Sequence, residues 1–153
     1  MSPSATITLV VDDEAVVRQL VRRILEPDVC RVVEAADGET ALRLIEHGRP
    51  AIDLVLTDLR MPGIDGLELL EVLSAHRPGL PVVCMSGFAT VTTGPRPGVP
   101  FVAKPFTAES LRKTVEPLLA RPRPGDPPAE ADAVDLVAAA LLLQRQRARR
   151  PPA

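Results

Sequence analysis

The chain has no tryptophan, no tyrosine and three phenylalanines in 153 residues. So few rings leave little with which to stack nucleobases, which argues against a single-strand nucleic-acid binder. Only two cysteines occur, Cys30 and Cys84. Both fall in stretches that read as strands, where a cysteine is a small buried apolar residue, and with no signal-peptide pattern they fit a reducing cytoplasm. No apolar run approaches the roughly 18 residues of a transmembrane helix. Two histidines, His47 and His76, sit near expected helix C-termini, where a partly charged imidazole is favourable. Charge of one sign is also lacking, since the formal net is −2. Residues 1–120 hold 12 basic and 16 acidic residues and residues 121–153 hold 6 and 4, so the body is mildly acidic and no nucleic-acid partner is expected.

Hydrophobic patterning supplies the rest. Thr6–Val11, Cys30–Ala35, residues 52–57, Pro81–Met85 and Phe101–Ala103 are short, β-branched or apolar, and read as buried strands. Helical spacing lies between them. Val16, Val17, Leu20, Val21, Ile24 and Leu25 make a two-wide stripe, and Ala41, Leu42 and Ile45 a second. Leu67, Leu70 and Leu73 face inward from a helix beginning near Ile64, and Leu111, Val115 and Leu118 from one capped by Thr107. Strands alternating with helices predict an α/β, doubly wound parallel sheet. Between Phe88 and Pro100, Gly94, Pro95, Pro97, Gly98 and Pro100 predict a shortened fourth helix. A Pro-rich linker over 121–131 leads to an expected helical tail over 132–153, with no effector domain recognisable in it. The tail's apolar residues and four arginines make it a candidate for self-association, for docking on the body, or for docking on a partner.

Strand ends carry the chemistry. Asp12 and Asp13 follow the first strand, Asp58 ends the third, Ser86 the fourth, and Lys104 follows the fifth. In a parallel sheet these ends share one edge, where ligands bind. Carboxylates about 4 Å apart repel by roughly 4 kcal/mol per pair at an effective dielectric near 20, so either one stays protonated or cations balance them. An oxygen-only set of this kind suits Mg²⁺. An ammonium and a hydroxyl beside it are what a phosphoryl group on Asp58 would need.

The set Val11-Asp12-Asp13-Glu14, Asp58-Leu59-Arg60-Met61-Pro62-Gly63-Ile64-Asp65-Gly66, Ser86-Gly87 and Lys104-Pro105-Phe106 resembles the receiver domain of two-component response regulators, over roughly residues 6–120. The resemblance implies a CheY-like, flavodoxin-like sheet of order 2-1-3-4-5 within a receiver domain of residues 1–120. It implies Asp58 as phosphoacceptor, and Mg²⁺ held by Asp12, Asp13, Asp58 and the backbone carbonyl of Arg60. Ser86 and Phe101 would be the switch pair, Lys104 the phosphate-binding lysine, and Pro105 a cis-proline. The donor would be a histidine kinase or histidine phosphotransfer protein, the location cytoplasmic, and the output a change in protein contacts, including a homodimer or partner docking through the C-terminal helix. The domain would be a regulatory phosphoacceptor rather than an enzyme, apart from promoting its own phosphorylation and dephosphorylation. A phosphohydrolase of the haloacid-dehalogenase type would need a second acid two residues after the nucleophile, and Arg60 stands there. A scaffold that is never phosphorylated would have no use for the retained acids, serine and lysine.

Overall fold

The structure, a computed structural model, describes residues 6–87, 98–120 and 135–149. Its strands are β1 (Ile7–Val11), β2 (Arg31–Ala35), β3 (Leu54–Asp58), β4 (Val82–Ser86) and β5 (Phe101–Ala103). The described helices are α1 (Ala15–Leu25), α2 (Gly38–His47), α3 (Gly66–His76), α4 (Ala108–Leu119) and α5 (Leu136–Arg149). All strand pairs are parallel, in the order β2-β1-β3-β4-β5. The expected doubly wound sheet is therefore present. The expected shortened fourth helix falls on residues 88–97, and the 121–131 linker likewise lies outside the described residues.

Strand alternation sorts the core into two halves. Leu9, Val11, Val55 and Cys84 face α2, α3 and α5. Val10, Leu54, Leu56, Val83, Met85 and Val102 face α1 and α4. The third strand begins at Leu54 rather than 52, because Asp53 acts at the strand's entrance: its amide donates to the Ile7 carbonyl at 2.8 Å and its carboxylate accepts the Ile7 amide at 2.8 Å.

Helix starts follow local chemistry. Asp37 accepts the Thr40 amide at the start of α2. Asp65 and Glu68 form a reciprocal capping box on α3, as Thr107 and Ser110 do on α4, each satisfying amides that have no partner inside the helix. His47 and His76 stand in the last turns of α2 and α3, as expected.

Two packing expectations need correction. In α1, Val21, Ile24 and Leu25 are buried and Val17 is half-buried, but Val16 and Leu20 are 74% and 44% exposed. The helix offers the sheet one narrow strip, and the second row of the stripe turns outward. In α3 the buried set is Leu69, Leu70, Val72 and Leu73, whereas Leu67 is only half-buried. The buried band is wider than one face because α3 touches both the sheet and α5.

The expected C-terminal helix is present as α5. Asp135 caps it, accepting the Ala138 amide at 3.1 Å. The helix then lies against α2 and α3, with Leu136, Val137 and Ala140 buried. Each large apolar side chain removed from water here contributes about 2 kcal/mol. The Glu46 carboxylate in the last turn of α2 accepts the Leu136 amide, and Arg147 pairs with Glu71 of α3 at 2.7 Å. Of the three roles open to the tail, docking on the body is the one its buried residues serve.

Candidate functional site: an acidic pocket at the carboxyl edge of the sheet

Because the strands are parallel, their carboxyl ends form one rim. β1 delivers Asp12, fully buried, and Asp13, exposed. β3 delivers Asp58 at 9% exposure, β4 delivers Ser86, also buried, and β5 leads directly into Lys104. One oxygen from each of Asp12, Asp13 and Asp58 lies within 4.8 Å of the others. Lys104 Nζ donates to Asp12 Oδ2 at 2.8 Å and stands 3.4 Å from Asp58 Oδ1. Three carboxylates against one ammonium leave a formal −2, a charge that a divalent cation matches, and all the donors are hard oxygens.

The pocket is held from behind. The Asp12 amide bonds the Ala35 carbonyl, and its Oδ1 accepts the Glu14 amide at 2.9 Å. Glu14 therefore precedes α1 without capping it by its own side chain. Arg18 Nη1 donates to the Asp12 carbonyl at 2.5 Å while its Nε pairs with Glu34 at 3.1 Å. Lys104's amide bonds the Ser86 carbonyl at 2.7 Å, tying the ends of β4 and β5 together. The Lys104–Pro105 peptide is cis, and Phe101 is half-buried on β5.

Electrostatics follow from this crowding. Burial pushes the Asp58 carboxyl up from its ordinary value; the Lys104 ammonium pulls the other way, the Asp12 charge adds to the rise, and the net is upward. For Lys104, burial alone would lower the ammonium. Its hydrogen bond to Asp12 and the charges of Asp12 and Asp58 outweigh that, and the net is again upward.

The loop from Leu59 to Asp65 carries the chain from Asp58 into α3. Leu59 donates to the Met85 carbonyl and Gly66 to the Leu59 carbonyl, which pins both ends. A Cβ on Gly66 would stand 2.1 Å from the Asp58 carbonyl oxygen, so only glycine permits the loop to fold this closely under the strand end. Gly63, at φ +77°, supplies the left-handed turn at the loop's outer bend. Arg60 is exposed in this loop.

The strand-end residues Asp12, Asp13, Asp58 and Lys104 are therefore brought together, with Ser86 on the same rim. Three contributors escaped the sequence reading. Arg18 reads as a polar position of an amphipathic helix, and its reach to the Asp12 carbonyl has no local signature. Gly66 stands in the motif that carries the resemblance, but its close approach to the Asp58 carbonyl oxygen has no signal along the chain. Gln144, which reaches the loop from α5, is 86 positions from Asp58 in the chain and carried no signal.

The response regulator receiver domain model matches residues 8–116. Chemotaxis protein CheY of Pseudomonas aeruginosa is 32% identical over 120 residues, covering 74% of this chain and 95% of that protein. The 3',5'-cyclic-nucleotide phosphodiesterase regA of Dictyostelium discoideum is 35% identical over 128 residues, 77% of this chain. The chain spans only 16% of regA and about half the length of two mycobacterial regulators it also matches. Among solved structures, the receiver domain of NtrX from Brucella abortus superposes with a TM-score of 0.67 at 36% identity, covering 75% of this chain and 99% of that one. Among the described residues, no helix is long and apolar enough to cross a membrane. Sheet order, strand-end pocket and these likenesses agree: the chain belongs to the receiver domains of two-component response regulators.

Proposed function

We propose that Asp58 is the phosphoacceptor and that Asp12, Asp13, Asp58 and the backbone carbonyl of Arg60 hold Mg²⁺. The observation that carries this reading is Lys104, whose ammonium bridges the buried Asp12 and Asp58 carboxylates across the rim. In this reading an Asp58 oxygen attacks the phosphorus of a phosphohistidine on a histidine kinase or histidine phosphotransfer protein. The P–N bond breaks and the imidazole nitrogen keeps the electron pair. Bound Mg²⁺ would neutralise charge on the transferring phosphoryl oxygens. Lys104 orients the phosphoryl group by pairing with one of its oxygens, and the Ser86 hydroxyl donates to another. That bond draws on the end of β4, and half-buried Phe101 on neighbouring β5 follows it inward, which passes the change to the surface. The same residues would promote the reverse loss of phosphate to water.

Exposed Val16 and Leu20 on α1, close in sequence to the exposed Asp13, support docking of the donor over this rim. Residues 1–120 would form the receiver, 121–131 its linker and 132–153 its helical extension. A cytoplasmic location goes with the donor chemistry and with free, buried Cys30 and Cys84.

The test is labelling with acetyl phosphate and Mg²⁺. The intact protein should gain one alkali-labile phosphoryl group, and Asp58→Asn should gain none. Equal labelling of the two, or labelling unchanged after Mg²⁺ is chelated, would sink the assignment.

A further inference from the structure

α5 is fixed to α2 and α3 by its buried residues, by Glu46 and by the Arg147–Glu71 pair. One more side chain reaches past those helices. Gln144 Nε2 donates to the Gly63 carbonyl at 2.9 Å and to Glu68 Oε1 at 3.2 Å. Glu68 Oε1 is also the oxygen that accepts the Asp65 amide in the capping box of α3. Gln144 thus bonds both the outer bend of the Leu59–Asp65 loop and the acid that fastens the loop's far end. Among the described residues no other α5 side chain has a hydrogen bond to this loop.

Between its pinned ends the loop rests on buried Met61 and Ile64. Its outer bend is left-handed at Gly63, the residue type that gives a backbone the most freedom, so the direction of that carbonyl must be held by a partner. The Gln144 amide is the partner. The loop also contains Arg60, whose carbonyl is the one backbone donor proposed for the cation. Whatever narrows the loop's conformations before the cation arrives lowers the ordering cost of binding it, and by linkage the bound cation strengthens the Gln144 contact equally.

We infer that Gln144 is a positioning residue of the phosphoacceptor site: from the docked C-terminal helix it holds the Gly63 carbonyl and Glu68, and so couples tail docking to cation binding at Asp12, Asp13 and Asp58. The inference rests on the proposed metal role of that cluster.

The full chain is titrated with Mg²⁺ and followed by the amide NMR shifts of Asp13 and Leu59, which requires no phosphoryl transfer. Hydrogen exchange of residues 60–64 is measured on the metal-free protein. Gln144→Met keeps the side chain's length and apolar contacts but removes the donor. It should weaken Mg²⁺ binding roughly fivefold, the worth of about one hydrogen bond, and speed exchange across residues 60–64. Gln144→Lys, which restores a donor, should recover most of both. Arg147→Ala breaks the exposed pair between α5 and Glu71 of α3 while Leu136, Val137 and Ala140 keep the helix docked, and should weaken Mg²⁺ binding far less than Gln144→Met does.

Wild-type affinity and loop exchange in Gln144→Met would overturn the inference. So would an equal loss in Arg147→Ala, since any loosening of the tail would then have the same effect. A chain that shows the Gln144 effect on Mg²⁺ binding but is not labelled at Asp58 would sink the phosphoacceptor reading and leave this inference standing. If the wild type binds no Mg²⁺, the metal reading fails and the coupling to it fails too; the exchange rates then decide the loop contact separately.

Discussion

Among the described residues, α1 and α4 are the outermost layer on one face of the sheet, and α1 leaves Val16 and Leu20 exposed. On the other face α2 and α3 are themselves covered, because α5 lies over them and buries Leu136, Val137 and Ala140. Among the described residues, the chain covers one side with its own C-terminal segment and leaves the other open. Exposed leucine and valine beside a charged rim suit the donor docking proposed above; apolar residues on α2 and α3 here serve the chain itself. The helix starts differ less by face than one by one: Thr107 and Ser110 box the start of α4 on the α1 side. Asp37 caps α2 and an Asp65–Glu68 box caps α3, while Glu14 gives α1 no side-chain cap.

The largest expected effect breaks the covered side. Leu136→Asp puts a carboxylate where a fully buried leucine sits, and should undock α5 at a cost of about 3 kcal/mol. Urea unfolding would register the loss, and α5 amides would exchange as freely as those of an isolated peptide. Retained protection in α5 would show that the helix is not held by this contact.

A smaller effect tests the caps. Asp37→Ala should cost about 1 kcal/mol near neutral pH, whereas Glu14→Ala should cost close to nothing. The Thr40 amide and hydroxyl hold the Asp37 carboxyl below its ordinary value. A depressed carboxyl contributes stability that is present above its unfolded value and fades as pH falls through the folded one. The gap between wild type and Asp37→Ala should therefore close in acid, and the gap to Asp37→Asn, which keeps an acceptor, should be small at neutral pH. Thermal melts of the three proteins between pH 7 and the acid limit would check both statements.

The smallest effect on stability belongs to the open side. Leu20→Asp should change unfolding free energy by no more than about 0.5 kcal/mol. Labelling by acetyl phosphate should be untouched, while phosphotransfer from the chain's own histidine donor should slow several-fold. Equal slowing with both donors would place the defect in the pocket and not on α1.

The sheet and its rim were legible in the sequence for the same reason. Parallel strands flanked by helices are apolar almost throughout, as Leu54–Leu56 and Val82–Met85 are, so a polar residue at the end of such a run stands out. Asp58 and Ser86 each do so. The exposure of Val16 and Leu20 was not legible, because a two-wide stripe at helical spacing does not state which row meets the sheet. Nor was the burial of Leu69 and Val72 alongside Leu70 and Leu73. That depends on α5, and its docking depends on contacts such as Leu136 with Glu46, 90 positions apart. Pattern reading sees neighbours along a helix; it does not see what a distant segment will cover.

The Lys104–Asp12 pair joins residues separated by 92 positions. Contacts of such long sequence separation carry a large loop-closure cost and depend on the strands between them being in place. The order of synthesis adds a consequence. Asp12, Asp13 and Asp58 leave the ribosome well before Lys104 does, so a partly made chain has the mutually repelling acids without the ammonium that balances them. A chain stopped anywhere before residue 104 has the same defect, whatever strands it has managed to pair. Competence to receive a phosphoryl group is then a property of the finished molecule, and a kinase that meets an incomplete one finds an acid cluster with no built-in counter-charge.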